Sequence, residues 1–207
     1  LASVLGGLQG AMGWYMVTSG LSDVPEVSQY RLVSHLGAAI LIYVYMLWLG
    51  LRLTRGGGPF RVPEPVHGLA RASTAVIAWI VLTMLAGGFV AGLDAGLTYN
   101  TFPLMDGRLV PSGYFADALA PFEDIATVQF HHRLVASLAV VFVAALWLHA
   151  RRVLPPGPAR VLQNLTLAAV LVQFSLGIAT LLLVVPTWLG ALHQAVAFLL
   201  LTAAVAA

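Results

Sequence analysis

VQFHHRLVASLAVVFVAALWLHARR, residues 128–152, decides what kind of molecule this is. Between Arg133 and Arg151 it holds no charged residue, and the apolar run it belongs to, 125–148, is far too long for a strand and long enough for a helix to cross a bilayer. One end carries Gln129, His131, His132 and Arg133; the other closes on Arg151 and Arg152. A charge near the centre of a membrane helix costs on the order of 2.5–3.5 kcal/mol, so polar groups at such depth are kept for a partner or a task.

Five further apolar runs flank this one, at 1–17, 32–51, 72–93, 161–185 and 188–207. At ~1.5 Å per residue, ~20 helical residues cross a ~30 Å hydrocarbon core, so every run but the first is long enough and the first nearly so. With 60% hydrophobic and 9% charged residues and a mean hydropathy of +0.92, the chain lies far outside the range of soluble domains. The predicted fold class is all-α transmembrane, with six helices. No cysteine occurs among the 207 residues, which removes disulfides, thiolate metal sites and thiol nucleophiles.

All ten basic residues are Arg, and their placement orients the helices. Arg52, Arg55, Arg61 and Arg71, against Glu64, fall between the second and third runs; Arg151, Arg152 and Arg160 fall between the fourth and fifth. The other connections are acidic, with Asp23 and Glu26 in the first and Asp94, Asp106, Asp117, Glu123 and Asp124 against Arg108 in the long stretch 94–124. The positive-inside rule puts the two basic connections in the cytoplasm, or the matrix of a mitochondrion, and the remaining three outside. The exclusive use of Arg suits a GC-rich bacterium, whose inner (plasma) membrane is the expected location, with the mitochondrial inner membrane as the eukaryotic counterpart. The arginines form no patch interleaved with aromatics, so nucleic acid is not an expected partner.

The chain repeats itself. Gln9, Gly13, Val24, Pro25 and His35 match Gln173, Gly177, Val185, Pro186 and His193 in order, with the same Gln-x-x-x-Gly spacing in both copies. If the last four helices form one complete repeat, the first two are the second half of another, and two helices should precede Leu1. The expectation is thus a fragment of an eight-helix protein built from two pseudo-symmetric four-helix bundles. Residues 1–70 would supply the second half of the N-terminal bundle, and 71–207 the whole of the C-terminal one.

His35, His132 and His193 each fall within eight residues of the outer end of an apolar run. A single such histidine reads as a hydrogen-bonded bundle residue; His132 and His193 at one level, on separate helices, read as a pair that grips a haem iron from both sides. His35 is the repeat equivalent of His193, and nothing in the chain is equivalent to His132 for it. Two haem sites are therefore expected in the whole protein, one intact here and one divided. His131 points ~100° away from His132 around the helix, and spacing alone does not choose between them. His67, in a basic connection, reads as interfacial, and His149 as the end of a span. Arg31 and Arg133 read either as partners for haem propionates or as arginines snorkelling to headgroups. Gly6, Gly7, Gly10, Gly13, Gly87, Gly88 and Gly92 would let helices, or a flat macrocycle, approach closely. The stretch 94–124 is long for a connector and reads as a lid over the haem level.

The chain is similar to the haem A synthases of mitochondria and alphaproteobacteria. The resemblance covers essentially all of it and is carried by GWYMVTSGL at 13–21, VSQYRLVSHLG at 27–37, GGFVAGLDAGLTYNTFPLM at 87–105, VQFHHR at 128–133, LGIATLL at 176–182 and VPTWLGALHQ at 185–194. It implies a membrane-bound haem-dependent oxidoreductase that converts the C8 methyl group of haem O to a formyl group, making haem A for terminal oxidases. His132, immediately before Arg133, and His193, in its Leu-His-Gln motif, correspond to the family's ligands for a haem b cofactor, so that 71–207 would be the haem b bundle. His35 corresponds to the second axial ligand of the substrate haem, the first lying with a catalytic glutamate in an upstream Glu-x-x-His-Arg helix. Activity of this stretch alone is not expected. The cysteine pair found in the outer loops of some bacterial relatives has no counterpart. Haem O is the implied substrate, haem O synthase, terminal-oxidase assembly proteins and a second copy of the chain are candidate partners, and the lipid bilayer is the solvent. The alternative reading is a non-catalytic membrane b-type cytochrome or a haem-delivery assembly factor; a transporter built on the repeat would hold no stoichiometric haem.

Overall fold

A computed structural model of the chain describes residues 2–18, 27–54, 56 and 66–207. Among these, six long helices and one short one follow in order: α1 (Ala2–Thr18), α2 (Gln29–Thr54), α3 (His67–Gly92), the short α4 (Ala120–Glu123), α5 (Ile125–Val153), α6 (Pro158–Leu182) and α7 (Thr187–Ala206). No strand occurs among the described residues. In a bilayer the backbone must satisfy its own hydrogen bonds, and a helix does so within one segment. Five of these helices, α2, α3, α5, α6 and α7, are long and apolar enough to span, while the 17 residues of α1 fall just short. The protein is an all-α, multi-pass membrane protein.

The helices run past the apolar stretches that announced them. Arg52 closes the last turn of α2 and Arg151 and Arg152 that of α5. Arg71 lies in the second turn of α3 and Arg160 in the first turn of α6. These arginines are therefore helical residues at the membrane boundary and not connector residues. Cations at a helix C-terminus complement the helix dipole. Arg52 lies over the ring of Trp48 (5.4 Å) and Arg151 over that of Trp147 (4.9 Å), which keeps the aliphatic stems against apolar surface while the charges face the interface. Asp23, Val24, Pro25, Glu26, Arg55, Arg61 and Glu64 lie outside the described residues.

Helix ends follow from local chemistry. The Asp124 carboxylate accepts from Thr127 N at 2.7 Å and caps α5, which stops at Val153 ahead of Pro155 and Pro156. The α6–α7 turn is tight. Val184 and Val185 take φ of 60° and 52°, a left-handed conformation that costs a β-branched residue about 1–3 kcal/mol and persists only where surroundings hold it. Val185 N donates to the Thr180 carbonyl at 2.8 Å, and Pro186 then starts α7.

Helices α3, α5, α6 and α7 close a ring of contacts, α2 packs on α3 and α7, and α1 packs on α2. The dense apolar core, with Ile80, Val143, Leu146, Val170, Leu200 and Leu201, fills the arginine half of this ring. His132, His193, Gly87 and Gly177 all belong to the other half. The fold thus separates a packed apolar half from a half that carries imidazoles.

Candidate functional site

Three helix hairpins follow one plan. In α1, α3 and α6 a glycine stands five residues before the end of the helix, at Gly13, Gly87 and Gly177, and the next long helix presents a histidine as its seventh or eighth residue, at His35, His132 and His193. Each imidazole turns its Cε1 edge onto the glycine. A Cβ at Gly13 would stand 3.2 Å from Cε1 of His35; at Gly87 and Gly177 it would stand 3.0 Å from Cε1 of His132 and His193. Any other residue would hold the ring off the neighbouring backbone, so the glycine is what lets an imidazole sink to this depth between helices. Gly6, Gly7 and Gly10, by contrast, meet nothing within 4 Å, while Gly88 and Gly92 pack against α2.

Four residues before the glycine, α1 and α6 carry a glutamine. The Gln9 carboxamide nitrogen lies 3.2 Å from Nδ1 and 3.4 Å from Nε2 of His35, and that of Gln173 lies 3.2 Å and 3.3 Å from the same atoms of His193. Gln9 donates in addition to the His35 carbonyl at 3.1 Å. The two copies of the repeat therefore share a geometry as well as a spacing. The third hairpin places Thr83 there instead, with its hydroxyl donating to the Trp79 carbonyl at 2.9 Å. The carboxamide oxygens of Gln9 and Gln173 are buried without a hydrogen-bonding partner. His132 and His193 lie within electrostatic reach of each other.

The structure separates His131 from His132. His131 faces the outer stretch, where Nε2 lies 3.1 Å from the Tyr114 hydroxyl and the ring meets Tyr114 and Phe115 edge-on. The Arg133 guanidinium donates to the carbonyls of Tyr99 (2.6 Å) and Thr101 (2.8 Å) and to Gln129 Oε1 (3.3 Å). Arg31 lies 4.1 Å over the Tyr15 ring and donates to the Tyr15 carbonyl at 3.2 Å. His67 begins α3, and His149 is exposed near the end of α5, both at the arginine end.

Residues 94–124 do lie across the outer end and are more ordered than their composition suggests. They contain a 3-10 turn at Ala95–Leu97, a bridge between Met105 and Arg108, and α4. Gln129 and Asn100, side chains whose bracing role sequence reasoning missed, fasten this segment: Gln129 Nε2 donates to the Ala95 carbonyl at 2.9 Å, and Asn100 Nδ2 to the Leu181 carbonyl at 2.9 Å. Phe102 reaches Phe174, the neighbour of Gln173, with ring centroids 6.1 Å apart. The Tyr30 hydroxyl donates to Glu123 at 2.9 Å and ties α2 to the same cover.

Known proteins resemble this chain along almost its whole length. The family model described as cytochrome oxidase assembly protein matches residues 1–205. A haem A synthase of Nitrosospira multiformis is 50% identical over 206 residues, which cover 97% of this chain and 57% of that protein. One from Granulibacter bethesdensis is 50% identical over 213 residues, covering 99% and 54%, and one from Nitrosomonas eutropha 45% identical over 209 residues, covering 97% and 57%. The chain thus spans little more than half the length of these relatives. No solved structure matches it.

Proposed function

The chain belongs to the cytochrome oxidase assembly protein family, and from that membership we propose that it is the haem-holding part of a haem A synthase, which oxidises the C8 methyl group of haem O to a formyl group. His132 and His193 would hold the iron of a resident haem b in a bundle formed by 71–207. His35, with 1–70, belongs to the substrate side and ligates haem O. Haem O synthase, which supplies that substrate, and the assembly proteins that receive haem A are the expected partners, in the inner membrane of a bacterium.

The observation that carries this reading is the seating of His132 and His193 on Gly87 and Gly177. Among the described residues, no group of three or more His, Cys, Asp or Glu comes together. A lone pair of imidazoles suits an iron whose remaining ligands come from a porphyrin. When bound, an iron porphyrin supplies the one-electron steps that turning a methyl group into an aldehyde requires. The chain's own part is to hold: glycines admit the rings, Gln173 contacts one of them, and Gln129 and Arg133 keep the outer segment fastened over this level.

The test uses the full-length protein. His132→Ala and His193→Ala should each abolish the low-spin haem b spectrum, whereas His35→Ala should spare that spectrum and eliminate haem A formation, measured by extracting bound pigments. An unchanged low-spin spectrum in His193→Ala would overturn the ligand assignment. Haem b alone under turnover conditions in the unsubstituted protein would favour a cytochrome without synthase activity.

A further inference from the structure

We infer that residues 99–104 form a re-entrant segment in the leaflet at the histidine end of the bundle, with Phe102, Pro103 and Leu104 against the upper acyl chains of lipid and the backbone held by α5 and α6. The inference rests on the spanning helices and is independent of any haem.

Depth is the first argument. Residues 161–207, which hold nearly all of α6, the turn after it and α7, contain no charged residue, and Leu182, Leu183, Val184 and Trp188 around that turn are all exposed. A contiguous apolar surface of this kind marks contact with lipid, and an exposed tryptophan suits the membrane edge. Phe102 lies below that turn. Its ring centroid is 6.1 Å from that of Phe174, and Phe174 stands eight residues, ~12 Å, before the end of α6 at Leu182. Side chains lean towards the N-terminus of their helix, which for α6 is the arginine end, so the Phe174 ring sits deeper still. Even with the whole 6.1 Å directed outward, the Phe102 ring would remain about 6 Å inside the end of α6.

Non-helical backbone at such depth is tolerated only where protein satisfies its polar groups. Here the neighbouring side chains do so. Arg133 donates to the carbonyls of Tyr99 and Thr101, and Gln129 to those of Ala95 and Tyr99 at 2.9 Å and 3.3 Å. Asn100 donates to the carbonyls of Gly96 and Leu181 at 2.7 Å and 2.9 Å, and the Thr101 hydroxyl to that of Leu104 at 2.7 Å. Pro103 has no N–H to satisfy. What the segment turns outward is apolar: Phe102 and Leu104 are 36% and 40% exposed. The stretch AGLTYNTFPLM, 95–105, carries no charge, and Asp94 and Asp106 flank it where the chain meets water again. A loop in water shows the opposite arrangement, with polar side chains outward. The tip instead continues the lipid-facing surface of α6 and offers no charge to a polar partner.

The experiment places single cysteines at Phe102→Cys, Leu104→Cys and Ser112→Cys in a cysteine-free background of the full-length protein, attaches a nitroxide to each and reconstitutes them in phospholipid vesicles. Power-saturation electron paramagnetic resonance then compares collisions with oxygen, which concentrates in hydrocarbon, and with a water-soluble nickel chelate. Oxygen should dominate at 102 and 104, and the order should reverse at the exposed Ser112 position. Nickel dominance at 102 or 104 would put the tip in water, and low collision rates with both reagents would mean that another part of the protein covers it; either result overturns the inference. Should a labelled variant fail to fold, the unsubstituted protein decides. A lipid-soluble diazirine photolabel should modify 102–104 in vesicles, and a peptide free of label there would equally overturn the inference.

Discussion

One methyl group is enough to disturb the imidazoles. At Gly177 or Gly87 it would sit 3.0 Å from the Cε1 of His193 or His132, closer than nine in ten real contacts, and in each case the nearest atom belongs to the imidazole itself. Overpacking of this kind costs about 1–3 kcal/mol, and 1.4 kcal/mol is about tenfold in affinity. Gly177→Ala and Gly87→Ala should therefore weaken haem retention about tenfold or more and shift the low-spin electron paramagnetic resonance signal. Gly190→Ala, which meets nothing within 4 Å, should change neither. Equal behaviour of all three variants would remove the glycine seats from the argument. The residues of the first and last hairpins were legible in the sequence because Gln9 and Gly13 repeat as Gln173 and Gly177 ahead of His35 and His193. The third copy was not. Thr83 stands where a glutamine would have announced it, and the outer segment separates Gly87 from His132 by far more chain than the other two pairs. The choice between His131 and His132 is a matter of which face of α5 meets α3, which spacing alone does not contain.

At the scale of elements, the outer segment 94–124 behaves as a cover held by side chains of α5 and α6. Arg133 ties down the part-buried carbonyl of Tyr99 and the exposed one of Thr101, and a hydrogen bond of this kind contributes about 0.5–1.5 kcal/mol. Arg133→Ala should raise amide hydrogen exchange across 95–104 while exchange in the middle of α5 stays slow, measured by mass spectrometry in detergent. Unchanged exchange over 95–104 would mean that Gln129 and Asn100 suffice. The sequence located this cover through its length, its Pro and Gly residues and its acidic charges, yet not its anchors, since Gln129 and Arg133 sit in the helix and read as membrane-depth polar groups in search of a ligand. The helix ends were misplaced for a different reason. Apolar runs mark the hydrocarbon layer, whereas Arg52, Arg71, Arg151 and Arg152 continue their helices into the interface with ordinary helix propensity.

The molecule as a whole is polar along its long axis in two senses. Its arginine end, with Arg52, Arg71, Arg151, Arg152 and Arg160, also holds the close-packed apolar core; its acidic end, with Asp94, Asp106, Asp117, Glu123 and Asp124, holds His35, His131, His132 and His193. A bundle that must both fold in lipid and admit a large planar ligand can meet the two demands by dividing them between its halves. The packed half then supplies van der Waals cohesion, and the other half seats its imidazoles on glycines. Orientation follows from the charges, because the positive-inside rule puts the arginine end in the cytoplasm and the histidine half towards the outer face. Since this stretch contains no cysteine, single introduced thiols report the orientation directly. Ser112→Cys, exposed in the outer segment, should react with a membrane-impermeant maleimide in spheroplasts of intact cells. Pro156→Cys, exposed between α5 and α6, should react only once the membrane is opened. In a protein otherwise free of cysteine, the opposite pattern would put the histidine level at the cytoplasmic face, and haem delivery and product release would then have to be argued from that side.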